Sequence, residues 1–211
     1  MRRLAPLLTA EAKEALTEFP LDQVVASSGV SWPPRRAGVL DLFSGECGVA
    51  QRLAARSCTW SLTFDLRRTP NEDLDDPVFR RKLLNLIRLG CFIGVGGGPV
   101  CSCFSMAVRP PVRSATEPYG KSGLSSNMQA KVTAGNQMAI WFFSIIEAAL
   151  HEGLAAWFEN PHASWMFRLP EWKLVLERWS ELRPWIVDYC RYGTKWRKRT
   201  KFISNTVLGG F

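Results

Sequence analysis

Apolar positions along this chain fall into two rhythms. Short unbroken runs, closed by glycine or polar turns, alternate with stretches of helical spacing. Val39-Leu40-Asp41-Leu42-Phe43 reads as a buried strand, Ser44 to Gly48 as a turn and Val49 to Ala55 as a helix. Trp60 to Asp65 reads as a second strand ending in a carboxylate. Asp76 to Leu89 is a helix with Pro77 in its first turn and Gly90 at its end, and Cys91 to Gly96 is the next strand. Ser105 to Gly135 is a long polar loop, and Asn136 to Leu150 is a strongly apolar helix. Leu154 to Phe158 is a strand closing on Glu159-Asn160-Pro161, and Pro170 to Leu182 is a helix. Trp185 to Cys190 and Lys201 to Asn205 form a final strand pair around a basic turn. Strands alternating with helices predict an α/β chain of Rossmann-like type: a mostly parallel sheet, helices on both faces, and an antiparallel hairpin at one edge. Residues 1–36 read as a separate leader, with a short helix capped by Thr9 and a break at Ser31 to Arg36; residues 37–211 read as the main domain.

The chain's 211 residues are enough for one sizeable core. No apolar run approaches the roughly 20 residues that cross a bilayer. The start of the chain lacks a sustained apolar stretch, so no signal peptide is expected. Six cysteines without framework spacing predict free thiols in a reducing, intracellular setting, cytoplasmic or nuclear. Cys101-x-Cys103 has no second ligand pair, and His151 and His162 are isolated, so no metal is expected. The net charge of +8 is concentrated late in the chain. Arg191, Lys195, Arg197, Lys198, Arg199 and Lys201 lie in one stretch without an acidic residue, with Tyr192 and Trp196 interleaved. That cluster suits phosphate contacts with stacking nearby, or a solvated basic face.

Two stretches carry candidate chemistry. Ser44-Gly45-Glu46-Cys47-Gly48 follows a strand, and Asp65 ends the next strand about twenty residues on, where a carboxylate can accept hydrogen bonds from a ribose diol. The Gly-x-Gly-x-x-Gly spacing is absent, which disfavours NAD. Asp41 before the turn suits a cofactor with a positive centre and an amino group, such as S-adenosylmethionine; an ordinary strand-to-helix turn has the same glycines. The second stretch is Gly96-Gly97-Gly98-Pro99-Val100-Cys101, which presents Cys101 on a loop at a strand end, either as a nucleophile or as a small core thiol.

Four segments in order resemble the DNA (cytosine-5) methyltransferase family, in its divergent phage- or retroelement-type members. They are Asp41-Leu42-Phe43-Ser44-Gly45, Gly97-Gly98-Pro99-Val100-Cys101-Ser102-Cys103-Phe104-Ser105, Glu159-Asn160, and Tyr192-Gly193 with Arg197-Lys198-Arg199-Thr200-Lys201-Phe202-Ile203. The likeness covers about residues 38–206. Val100, Ser102 and Pro161 stand where the family pattern has Pro, Gln and Val, and no target-recognition region is legible. The resemblance implies the seven-stranded class I methyltransferase sheet and S-adenosylmethionine as cofactor. Asp41, Phe43, Ser44, Gly45, Gly48, Asp65, Asp73 and Pro99 would line that cofactor. Cys101 would add to C6 of cytosine, and Glu159 would hold the N3/N4 edge. Arg197 or Arg199 would contact the base carbonyl or a phosphate. Arg109, Arg113, Lys195, Lys198 and Lys201 would face nucleic acid, most simply DNA, with the long loop closing over the base. Two other readings stay open: an inactive nucleic-acid-binding domain, and a methyltransferase of this fold acting on RNA or a small molecule.

Overall fold

The computed structural model describes residues 5–55, 60–65, 74–193, 195 and 197–206. The described residues form a mixed α/β chain with seven strands: β1 (Val24–Ala26), β2 (Gly38–Leu42), β3 (Trp60–Phe64), β4 (Phe92–Gly97), β5 (Ala155–Pro161), β6 (Arg183–Asp188) and β7 (Arg199–Ser204). The described helices are α1 (Ala10–Thr17), α2 (Gly48–Ala55), α3 (Pro77–Arg88), α4 (Ser126–His151) and α5 (Pro170–Arg178). The chain divides into two compact units, Met1–Gly97 with Ala148–Ala156, and Gly98–Glu147 with Trp157–Phe211.

In the first unit β2 pairs in parallel with both β3 and β4, and β1 adds to β3 antiparallel. Every residue of β2 and β3 is buried, as their unbroken apolar runs require. α3 begins as its sequence predicts: Asp76 accepts from the Val78 N–H at 2.8 Å, and Pro77 occupies the first turn. Residues 1–36 do not stand apart as a leader. Thr9 caps α1, which buries Ala12 and Leu16; Phe19 packs edge-on against Phe64 and Phe79; and β1 extends the sheet. A three-residue strand such as Val24–Ala26 carries too little periodicity to be read ahead of its pairing.

In the second unit β7 lies between β5 and β6, antiparallel to both. The expected mostly parallel sheet is therefore parallel only around β2 among the described pairings. β5 alternates strictly, with Ala156, Phe158 and Asn160 buried and the residues between them half-buried. Phe158 packs against Phe142 and Phe143 of α4, Trp172 of α5 and Phe167, all at ring separations of 4.9–5.8 Å. Two expected boundaries move. β5 continues through Glu159-Asn160-Pro161 instead of ending before them, because β7 supplies backbone partners out to the Pro161–Thr200 pair. α4 starts at Ser126, so residues 126–135 are helix and not loop. Its first half is mostly polar and exposed, which hides the period, and Gly135 reads as a breaker. In the fold that glycine admits a neighbour: a Cβ there would stand 2.3 Å from the Cys103 Sγ. α5 likewise ends at Arg178, short of the expected Leu182. Among the described residues no helix is long and apolar enough to cross a membrane.

Gly97, the last residue of β4, has no such freedom. A Cβ there would lie 1.9 Å from the Leu42 carbonyl oxygen, a backbone atom fixed in the sheet. Gly97→Ala is expected to destabilise by about 3 kcal/mol, lowering the midpoint of a circular-dichroism melt by roughly 6–12 °C. A melt within about 2 °C of wild type would contradict that close approach. Burial pushes the Cys91 thiol up to about 12. In the native protein it should resist iodoacetamide at pH 8, read by mass spectrometry, while the exposed Cys190 is modified.

Candidate functional site

The second unit brings two of the sequence-predicted segments together. The Cys101 loop leaves β4 through Gly98 and Pro99 and enters a 3-10 turn over Ser102–Phe104, where the Cys101 carbonyl accepts from the Phe104 N–H at 3.0 Å. Pro99 is buried and its carbonyl accepts from the Asn160 side-chain amide at 2.9 Å, within a buried setting. Gly98 lies against Glu159: a Cβ on it would stand 3.3 Å from the Glu159 Oε2 and 3.6 Å from its main-chain oxygen. Cys101 is half-buried, so its thiol is sheltered without being sealed. The Gly98-to-Cys101 loop is thus locked to the β5 segment that carries the carboxylate.

Glu159 has further neighbours on the other side. Lys198 Nζ pairs with its Oε1 at 3.3 Å and sits 4.9 Å above the Tyr189 ring. Tyr189 is bonded to the same turn through its N–H, which donates to the Lys198 carbonyl at 3.1 Å. Burial and the Glu159 carboxylate push the Tyr189 hydroxyl well above its usual range. Lys198, expected as a phosphate contact, therefore pairs with Glu159. Tyr189 was not anticipated; only its place one residue after β6 and across from Lys198 marks it.

The remaining basic residues separate. Arg197 forms a two-pronged pair with Asp188, both contacts at 3.3 Å, and is exposed. Arg199, Arg191 and Lys195 are exposed. Lys201 is opposite Asn160, so it shares the helix-covered face; its Nζ lies 4.4 Å from the Phe167 ring centroid. Burial, with help from Arg168, lowers the Lys201 ammonium below its usual range. Arg109 is exposed on the rim of an open depression of about 390 Å³ lined also by Ser105, Met106 and Trp165.

Arg113 corrects the sequence reading outright. It is 2% exposed and cannot offer a surface charge to phosphate. Its guanidinium donates to the Cys103 carbonyl at 2.8 Å, the Pro118 carbonyl at 2.5 Å and Asn136 Oδ1 at 2.8 Å, and stacks 3.9 Å over Phe104. A long side chain with five donors can close a loop on itself when those donors meet acceptors from several positions around it. Cys103 belongs to that cluster, with its Sγ 3.5 Å from the guanidinium.

In the first unit the glycine turn is built as an alternating backbone. Phe43, Gly45 and Cys47 have φ values of 56°, 51° and 57°. Its N–H groups are engaged internally: Ser44 to the Phe64 carbonyl at 3.0 Å, Cys47 to the Ser44 carbonyl at 2.8 Å, and Gly45 to Asp65 Oδ2 at 2.8 Å. Asp65 therefore braces the turn with one oxygen. Asp41 is 3% exposed on β2. Nothing lies within 4 Å of where a Cβ would stand on Gly45 or Gly48, which leaves open space over the turn that Asp65 braces. Those features fit a cofactor with a cationic amino group and a diol. Asp73 lies outside the described residues. Among the described residues no three His, Cys, Asp or Glu side chains gather as a metal site.

No family model matches the chain, and no curated protein matches it. Among solved structures it is similar to the Entamoeba histolytica methyltransferase EhMeth, with a TM-score of 0.48 and 11% identity over 84% of this chain. The match takes in 55% of that structure, so this chain spans about half its length.

Arg113→Met should cost about 3 kcal/mol, because it orphans buried carbonyls. It should leave the salt dependence of any nucleic-acid binding unchanged. Lys195→Ala should instead lower that slope by about 1 and leave the melt alone. Equal slopes for both variants, measured by fluorescence anisotropy across salt, would contradict the structural assignment of Arg113.

Proposed function

We propose that this chain is a S-adenosylmethionine-dependent methyltransferase acting at C5 of cytosine in DNA. The observation that carries the reading is the pairing of the Cys101 loop with Glu159-Asn160. Two segments about sixty residues apart, each matching the family resemblance, are joined by the Asn160–Pro99 hydrogen bond and the close approach of Gly98 to Glu159. The order of the four segments along the chain supports it further.

C5 of cytosine is a poor nucleophile. Thiolate addition fixes that: a bond forms between Cys101 Sγ and C6, and the displaced π electrons make C5 enamine-like. Glu159, facing the N3/N4 edge, supports the charge that develops at N3 by holding a proton there. After transfer the C5 proton leaves to a base, the electron pair restores the C5–C6 double bond, and the thiolate departs. When bound, S-adenosylmethionine supplies an electrophilic methyl group. Asp41, Phe43, Ser44, Gly45, Gly48 and Asp65 would hold it, with the Asp41 and Asp65 carboxylates suited to its amino group and its ribose. Pro99 acts through its carbonyl, by fixing the loop that presents Cys101. Lys198 holds Glu159 in place until a base arrives.

Labelled cofactor should deliver its methyl group to cytosine-containing DNA, and a 5-fluorocytosine oligonucleotide should trap a covalent adduct that Cys101→Ser abolishes. Glu159→Gln should slow transfer by roughly 10²–10⁴-fold. Absence of both transfer and adduct with the wild-type protein would overturn the reading. Tight nucleic-acid binding in that case favours the inactive binding domain, and transfer to RNA alone favours the RNA acceptor.

A further inference from the structure

Register across the second unit places a row of side chains beside Glu159. Glu159 on β5 is opposite Phe202 on β7, and Phe202 is opposite Trp185 on β6. Directly opposed residues in antiparallel strands share a face. The row therefore runs from a half-buried carboxylate, across a half-buried ring, to an indole that is 37% exposed. This is the face opposite Phe158 and its helix-packed rings, since Phe158 and Glu159 are consecutive along the strand. Lys198 and Tyr189 close one end of the row, and the exposed Arg191, Lys195 and Arg197 follow on the adjoining turn. An aromatic shelf under a concentration of positive charge has one natural complement: bases with free π-faces on a phosphate backbone.

We infer that Trp185 and Phe202 form a stacking shelf for the nucleotides next to the base held at Glu159, and that the preferred substrate is a single-stranded stretch of nucleic acid. In a duplex the neighbouring bases already stack on one another and offer the shelf no free face. This inference rests on reading Glu159 as the residue that holds the target base. Neither the cofactor nor the thiol takes part in it, so binding measured without cofactor separates its failure from that of the methyl-transfer reading.

Binding of the full chain to oligonucleotides of about ten nucleotides, within the site sizes of such grooves, should be followed by anisotropy. Single-stranded DNA, single-stranded RNA and a duplex of the same sequence form the three arms, without cofactor. The single strands should bind at least about tenfold tighter than the duplex, and Trp185→Ala should remove about tenfold of that affinity. Ile186→Ala, on the opposite face with Lys201, should leave it unchanged. Photocrosslinking of wild-type protein to a strand carrying 5-iodouracil should map to Trp185 or Phe202, which keeps the test independent of how the variants fold. The DNA and RNA arms report which backbone is preferred, and a preference for either supports the shelf. Equal duplex and single-strand affinity, a Trp185→Ala variant that binds like wild type, or crosslinks confined elsewhere would overturn it. So would a Trp185-dependent dimer without nucleic acid, which would give that edge to a second copy of the chain.

Discussion

A single buried amide holds the candidate site together. The Gly98-to-Cys101 segment has no regular structure of its own, and its first turn begins only at Ser102. What gives it a defined course is the hydrogen bond from Asn160 to the Pro99 carbonyl. A buried carbonyl without that donor carries a desolvation cost of about 1–3 kcal/mol. Proline sharpens the dependence, since Pro99 has no N–H with which to anchor the loop in another way. Glycine at 98 lets the loop lie against Glu159, whose carboxylate would have to give by a few tenths of an ångström to admit a Cβ there. Three residues of ordinary type, a Gly, a Pro and an Asn, thereby join the loop that carries Cys101 to the strand that carries Glu159.

The alternation of β5 divides labour between its two faces. Phe158 on one face is clamped by rings from α4 and α5, and that packing immobilises the strand. Asn160, next on the same buried face, inherits that rigidity and passes it to the loop. Glu159 between them points the other way and stays half-buried, where a polar group can be reached. A shift of one residue in the β5–β7 register would turn the carboxylate into the aromatic core. The antiparallel partner β7 is therefore part of the site even where its own side chains touch nothing reactive.

Much of this was legible in the sequence, and the failures have identifiable physical causes. The strands of the first unit are continuous apolar runs bounded by glycine, and α3 carries both an N-cap Asp and an N1 Pro, so their positions follow from local chemistry. The extension of β5 through Pro161 did not, because proline argues against a strand until an edge partner is known to tolerate it. The first half of α4 is hidden by polarity, and Gly135 owes its presence to Cys103 across the helix surface, a contact no local pattern reports. Arg113 misled because a guanidinium reads as a surface charge. Its burial depends on three acceptors, at Cys103, Pro118 and Asn136, contributed from separate positions. The basic stretch sorted itself in the same way: Lys198 turned to Glu159, Arg197 to Asp188 and Lys201 to Phe167. Two of those three partners are carboxylates, and the third is an aromatic ring.

The glycine turn of the first unit sharpens what a motif can be asked to mean. Its distance from Ser44–Gly48 predicts Asp65 as an acceptor for a ligand hydroxyl. The fold uses that distance first for itself, because one Asp65 oxygen accepts the Gly45 N–H and holds the alternating backbone of residues 43–47. A carboxylate so braced is better placed to bind than a free one. The space over Gly45 and Gly48 stays open because the turn needs no side chain to keep its shape. The structural and the ligand-binding readings of the turn are therefore not rivals. The Asp65 bond to Gly45 accounts for the shape of the turn by itself, just as the Asn160 bond to Pro99 accounts for the course of the loop that carries Cys101.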